Sequence, residues 1–134
     1  MRIRPRAGTH GFTLIEMVVV ISLILVLLSI ALPMYNQSIL RAKESTLRQD
    51  LYTLRHVIQQ YTLDKQKAPQ ALEDLISAHY LKFIPKDPMT GREDTWQVEQ
   101  EDSIMSPDQT QPGIIDVHSG SNMTASDGTA YSTW

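Results

Sequence analysis

An uninterrupted apolar run near the N-terminus constrains this chain more than any other feature of its sequence. Residues 17–32 are sixteen consecutive residues with no charge and only two serines, and residues 12–15 extend the apolar character, with Glu16 as the interruption. About 20 apolar residues in a helix cross the hydrocarbon core of a bilayer. We therefore expect an N-terminal membrane-spanning helix that has the lipid bilayer as a partner.

The charges around this run predict its orientation. Arg2, Arg4 and Arg6 precede the run, and basic residues concentrate on the cytoplasmic side of a membrane. A secretory signal peptide has a shorter apolar core that ends in a small-x-small cleavage site, whereas this run ends at Pro33. We expect a cytoplasmic N-terminus, with the residues after Pro33 on the far side of the membrane.

Composition excludes several function classes. Three of the twelve Lys and Arg residues precede the apolar run, so residues 12–134 carry nine basic and fifteen acidic side chains, a formal net charge of −6. Such a balance disfavours nucleic acid as a partner. The chain has no cysteine, which excludes disulfides, thiolate catalysis and cysteine-ligated zinc.

Glu16 is the carboxylate within this apolar segment. A carboxylate at the centre of a membrane span costs roughly 2.5–3.5 kcal/mol, and less near an end. Two interpretations are open. Glu16 can lie in the first helical turn, where the helix dipole favours it. Alternatively, cleavage after Gly11 makes Phe12 a new N-terminus, and the amine of a neighbouring subunit pairs with Glu16.

Residues 11–16, Gly-Phe-Thr-Leu-Ile-Glu, followed by the apolar run, resemble the processing motif of type IV pilins and type II secretion pseudopilins. The resemblance implies that prepilin peptidase cuts between Gly11 and Phe12, removes residues 1–11 as a basic leader, and methylates Phe12. It assigns Glu16 to assembly. The implied partners are an inner-membrane assembly platform and identical or related subunits in a helical filament.

Pro33 matches a proline commonly found near the end of this family's apolar segment, although a mid-helix proline also kinks a helix by itself. Beyond it, residues 34–63 continue as an amphipathic helix, which makes residues 12–63 one helix about 75 Å long. The periodic apolar positions are Leu47, Leu51, Leu54, Ile58 and Tyr61. This stripe predicts packing on the chain's own head, residues 64–134.

The head is predicted to combine a short helix with a small antiparallel sheet. Pro69 suits the first turn of a second helix that runs through Ala78, and residues 83–91 form a turn-rich loop. Strand candidates are residues 95–98 and 114–117, joined by the acidic, solvated stretch 99–112. The fold class is therefore α+β, and the resemblance implies the pilin-like lollipop of a long helix with a small head.

The head also resembles the major pseudopilin branch, which is general secretion pathway protein G-like. The similarities are the proline before the second helix, Ile-Pro-Lys-Asp-Pro at residues 84–88, and Asp-Val-His-Ser at residues 116–119. In the family that this chain resembles, major pilins usually close the C-terminal region with a disulfide and pseudopilins usually do not, so for a chain without cysteine the resemblance implies a secretion pseudopilin. A structural, non-enzymatic pseudopilus subunit is thus predicted; the alternatives are a minor type IV pilin or a membrane-anchored periplasmic binding or enzymatic domain.

Major pseudopilins carry a calcium ion in a C-terminal loop, and the resemblance offers Ser119, Ser121 and Asp127 as side-chain ligands. Calcium accepts carboxylate, hydroxyl and carbonyl oxygens. The alternative is that this Gly- and Asn-containing segment simply turns the chain.

The histidines form no catalytic motif. His56 and His79 are interpreted as structural, and His118 lies beside Asp116, where it can ligate a metal or simply share a strand face. The sequence therefore predicts no catalytic residue.

Overall fold

The computed structural model describes Gly8, residues 11–101, Pro107 and residues 111–134. The arginines of the predicted leader and most of the predicted acidic loop lie outside the described residues. In chain order the elements are helix α1 (Leu14–Lys65), helix α2 (Glu73–Ser77), strand β1 (Gln97–Gln100), strand β2 (Ile114–His118) and a 3-10 turn at Tyr131–Thr133. These elements confirm the predicted α+β class.

Helix α1 is continuous over 52 residues and includes Pro33. It begins and ends two residues later than predicted. Lys65 lies in its last turn, where a cation is favoured by the helix dipole, and Gln66 then leaves the helix with a φ of 54°. The chain divides after Ser38 into two compact units, and α1 contributes residues to both.

The C-terminal half of α1 supplies one wall of the core of the second unit. All five predicted stripe residues are buried, together with Val57 and Glu44. Leu47 and Leu54 are completely inaccessible to solvent. The other core residues come from α2 and the turn before it, the loop before β1, strand β2 and the C-terminal segment (residues 119–134): Leu72, Leu75, Trp96, Ile114, Val117, Ala125 and Tyr131. The helical periodicity therefore predicted this packing face correctly.

Helix α2 is shorter than predicted, because it begins at Glu73 and Pro69 lies outside it. The carboxylate of Asp74 accepts hydrogen bonds from the main-chain N–H groups of Gln70 and Ala71 at 2.9 and 3.1 Å. These bonds hold residues 70–72 in a turn before the helix. The prediction missed this, because a side chain inside the helix, not the proline, sets where it begins.

His79 ends the turn after α2 in the left-handed conformation, with a φ of 62°. The N–H of Tyr80 donates to the carbonyl of Leu75, and the N–H of His79 donates to that of Ile76. This is the bonding pattern of a Schellman cap, in which glycine is the usual residue. This capping position gives His79 a structural role, as interpreted from the sequence. The residue lies just beyond the helix.

Within the described residues the sheet is one antiparallel pair, β1 with β2. Glu99 pairs with Asp116 and Gln97 with His118, and the register shifts between Glu99 and Gln100. β1 begins at Gln97, two residues after the predicted start. The reason is Trp96, whose buried indole donates from Nε1 to the carbonyl of Pro85 at 2.7 Å and so belongs to the preceding loop.

The loop between α2 and β1 is organised by Asp87, which is fully buried. Its Oδ2 accepts hydrogen bonds from the Ser119 hydroxyl at 2.6 Å and the Gly120 N–H at 3.2 Å, and its Oδ1 accepts from the Met89 N–H at 2.8 Å. Buried carboxylates need such partners. The Asp-Pro loop and the end of β2 are therefore joined through one side chain.

Candidate processing and assembly site

The predicted cleavage point lies in an exposed stretch that precedes α1. Gly11, Phe12 and Thr13 are not helical, and all three are exposed. No atom approaches within 4 Å of the position that a Cβ on Gly11 would occupy, and the Phe12 side chain is 79% exposed. An exposed, non-helical main chain is accessible to a peptidase.

Glu16 lies in the first turn of α1, as the simpler interpretation expected. Its N–H donates to the Thr13 Oγ1 at 3.2 Å, and the Met17 N–H donates to the Thr13 carbonyl at 3.2 Å. Thr13 is therefore the N-cap. This role was not predicted from the sequence, although Thr13-x-x-Glu16 has the spacing of a capping box.

The apolar segment has no cover within the described chain. Every residue from 11 to 39 is exposed, and α1 contains a window with a mean hydropathy of 2.9, apolar and long enough to span a membrane. Surfaces of this kind mark membrane or protein contacts. Its serines do not break the pattern, because Ser22 and Ser29 donate to helix carbonyls at Val18 and Val26, both at 2.7 Å.

Pro33 lies inside α1 and is exposed. It has no N–H, so the carbonyl of Ser29 lacks its usual helical donor at this turn. The helix nevertheless continues on both sides. The apolar segment therefore lacks one main-chain hydrogen bond at Pro33.

Glu44 connects α1 to the C-terminal segment, a role that was not predicted from the sequence. It is 4% exposed. Its Oε1 accepts from the Ser126 N–H and the Tyr131 hydroxyl at 2.7 and 2.8 Å, and its Oε2 accepts from the Ser126 hydroxyl at 2.6 Å. The available signal was its position three residues before Leu47, in line with the apolar stripe.

These contacts shift the pKa values of Glu44 and Tyr131. The hydrogen bonds from Ser126, outweighing burial, lower the pKa of Glu44. Burial, followed by the bond to Glu44, raises the pKa of Tyr131 to about 12. Glu44 is therefore held as a carboxylate and Tyr131 as a neutral phenol at physiological pH.

Arg55 forms a second tie between α1 and the C-terminal segment. Its Nε donates to the Asp116 Oδ1 at 2.5 Å, and its Nη2 donates to the main-chain oxygens of Val117 and Trp134 at 3.0 and 2.7 Å. The Trp134 ring also lies under the guanidinium of Arg48, 4.4 Å from the ring centroid. These contacts hold the C-terminal Trp134 against α1.

The three residues offered for calcium are already hydrogen-bonded within the fold. Ser119 donates to Asp87, and the Ser121 hydroxyl accepts from the Met123 N–H at 3.3 Å. Asp127 accepts from the N–H and hydroxyl of Thr129 at 2.9 and 2.6 Å. Ser119 and Ser121 are buried and Asp127 is exposed. A calcium ion would have to displace some of these bonds, and its binding stays a prediction.

Comparison with known proteins identifies the N-terminal part of the chain. Residues 6–32 match the family model described as the prokaryotic N-terminal methylation motif. No curated protein and no solved structure matches the chain. The match covers the Gly11-Phe12 junction, Glu16 and the apolar segment, so the chain carries a type IV pilin-like signal.

Proposed function

We propose that this protein is a structural subunit of a type II secretion pseudopilus, cut between Gly11 and Phe12, methylated on Phe12, and assembled through α1 to support protein export. The observation that carries the proposal is the methylation motif over residues 6–32. It coincides with the N-terminal part of α1, residues 14–32, in which every residue is exposed. The motif points to a structural protein and not to an enzyme.

The physical role of α1 follows from its uncovered surface. Before assembly a bilayer solvates the apolar segment, with the head on the periplasmic side of the inner membrane. In the filament the same side chains pack against neighbouring helices. Van der Waals packing, which drives helix association in lipid, allows this exchange without a large change in hydrophobic burial.

Glu16 supplies the register of this packing. Cleavage creates a cationic amine at Phe12, four residues from Glu16 in sequence. A charge pair that is shielded from water is much stronger than one at a wet surface. A carboxylate left unpaired among apolar helices is costly, so subunits are selected in the position where Glu16 meets a neighbour's amine.

Processing is tested by mass spectrometry of the protein recovered from cells that contain prepilin peptidase. The expected mature chain begins at Phe12 and carries one added methyl group on its amine. A first residue other than Phe12 would contradict the proposed cleavage between Gly11 and Phe12.

Assembly is tested with Glu16→Ala. We expect unchanged membrane insertion, because removing a charge from an apolar helix favours the bilayer, together with loss of filaments. Glu93→Ala is the matched control, since Glu93 is an exposed carboxylate of the head and its loss should leave filaments intact. Normal filaments with Glu16→Ala would contradict the proposed role.

The motif is shared with type IV pilins, so a minor pilin is the second candidate. Deletion of the gene separates the two: loss of protein export with normal surface pili supports the pseudopilin, and the reverse result supports the pilin. A membrane-anchored enzymatic or binding domain would show neither defect.

Calcium binding in the C-terminal loop remains part of the pseudopilin proposal. The measurement is the midpoint of thermal unfolding of the head with and without calcium. A calcium-dependent rise that Asp127→Asn removes would support Ser119, Ser121 and Asp127 as ligands.

A further inference from the structure

We propose that Glu99, Asp116 and His118 form a binding site for a divalent transition-metal ion of the zinc class. One ligand atom from each residue lies within 4.8 Å of the others. The site is separate from the processing and assembly segment, and the inference does not depend on the filament function.

The strand register builds this cluster. Asp116 and His118 are two residues apart on β2, and Glu99 on β1 pairs directly with Asp116. Residues two apart on a strand share a face, and directly paired residues bring their side chains together. Two carboxylates and one imidazole therefore converge on one point of the hairpin.

The imidazole of His118 is oriented as a metal ligand. Its Nδ1 lies 2.6 Å from the main-chain oxygen of Trp134, which only accepts, and 3.5 Å from the Arg55 Nη2; the much shorter contact assigns the proton to Nδ1. Nε2 then faces the two carboxylates. Metal-binding histidines usually donate the other ring N–H to such an oxygen, which fixes the tautomer and the ring orientation.

The distances fit a small ion better than direct hydrogen bonds. Nε2 lies 3.6 Å from the Glu99 Oε2 and 3.7 Å from the Asp116 Oδ2, longer than ordinary hydrogen bonds. Around tetrahedral zinc, with ligands at 2.0–2.2 Å, neighbouring ligand atoms are separated by about 3.3–3.6 Å. The two carboxylate oxygens lie within 4.8 Å of each other, and the Glu99 side chain, 60% exposed, can turn to shorten that separation; water takes the fourth position.

Asp116 is prepared for this role by its other oxygen. Oδ1 accepts from the Arg55 Nε at 2.5 Å and from the Val117 N–H at 2.7 Å, which leaves Oδ2 to face Nε2. The Arg55 cation offsets one of the two carboxylate charges, so we expect micromolar and not nanomolar affinity. The imidazole ligand favours zinc-class ions over calcium or magnesium.

The test is zinc titration of the full-length chain in detergent by calorimetry, with Co²⁺ absorption as a report of tetrahedral geometry. His118→Ala and Glu99→Gln should each weaken zinc binding by at least about 10–100-fold. Glu99→Gln alters only an exposed side chain, so it remains informative if His118→Ala unfolds the head.

Two controls make the assignment specific. The double variant His56→Ala/His79→Ala removes histidines outside the cluster, and Asp127→Asn removes the candidate calcium ligand; both should retain zinc binding at the site. Unchanged zinc affinity in Glu99→Gln and His118→Ala, or equal affinity for calcium at these residues, would overturn the proposal.

Discussion

The two halves of α1 share one continuous backbone but differ in what surrounds their side chains. Leu25, in the apolar segment, is 60% exposed, whereas Leu54, about eight turns further along the helix, is completely buried. Burying a leucine side chain is worth about 1.5–3 kcal/mol. The second half obtains this from the head, and the first half has to obtain it from lipid or from other subunits.

The two halves of this one helix are therefore stabilised in two separate ways. The head is stabilised by its own core, and the apolar segment is stabilised only by what it is placed in. A substitution in the apolar segment should therefore leave the stability of the head unchanged, and a substitution in the C-terminal half of α1 should leave membrane retention unchanged. Both tryptophans, Trp96 and Trp134, lie in the head, so tryptophan fluorescence reports the unfolding of the head alone.

The largest expected effect comes from Leu54→Ala. It removes a fully buried side chain and should lower the free energy of unfolding of the head by about 2–5 kcal/mol. The measurement is denaturant unfolding of the full-length chain in detergent, followed by tryptophan fluorescence. Membrane retention should stay normal.

The matched control is Leu25→Ala, the same chemical change in the apolar segment. It should shift the unfolding of the head by less than about 0.5 kcal/mol. A comparable loss of stability in both variants would show that the two halves of α1 are not independent.

The next largest effect is expected for Gly120→Ala. A Cβ at Gly120 would overlap the main-chain oxygen of Thr95, whereas one at Gly128 meets nothing within 4 Å. Overpacking against main chain should cost about 3 kcal/mol, while Gly128→Ala, at a φ of 87°, should cost about 1–2 kcal/mol from backbone strain alone. Denaturant unfolding checks both, and equal losses would argue against the close approach.

The fold was predictable where periodicity carries the information. The stripe at Leu47, Leu51, Leu54, Ile58 and Tyr61 indicated the packing face of α1 because a helix repeats every 3.6 residues. The predicted starts of α2 and β1 were wrong because hydrogen bonds made by side chains determine where these elements begin. Asp74 holds the turn before α2, and Trp96 is drawn into the loop by Pro85.

The candidate sites divide in the same way. Gly11, Phe12 and Glu16 lie in one contiguous motif that can be read directly from the sequence, and the family match spans it; the roles of the three residues stay predictions. The bonds of Glu44 to Ser126 and Tyr131 join residues more than 80 positions apart. The cluster of Glu99 with His118 likewise depends on strand register, which the sequence did not specify.

Two serines, one in the head and one in the apolar segment, allow the same comparison with a smaller expected effect on stability. Ser119 is fully buried and donates to Asp87, whereas Ser29 is exposed and donates to its own helix at Val26. Ser119→Ala should destabilise the head by about 2 kcal/mol, because a buried carboxylate loses a donor. Ser29→Ala should leave the unfolding curve within about 0.5 kcal/mol of the parent protein. Equal effects of the two changes would contradict the assigned environments.

The smallest expected effect is the one that depends on pH. Glu44→Gln keeps the shape of the side chain but loses its charge, and should cost the head about 1 kcal/mol at pH 7. Because the folded-state pKa of Glu44 lies below its ordinary value of 4.5, the stability contributed by the carboxylate is fully present above pH 4.5 and is lost as pH falls through the lowered pKa.

The difference in unfolding free energy between the parent protein and Glu44→Gln should therefore shrink on acidification below pH 4.5. Taking the difference removes the contributions of the other carboxylates, including Asp50, whose pKa burial raises. Denaturant unfolding at pH 7 and at pH 3 measures it. A difference that stays constant or widens would show that the Ser126 bonds do not favour the charged form of Glu44, and the tie between α1 and the C-terminal segment would then need another source of stability.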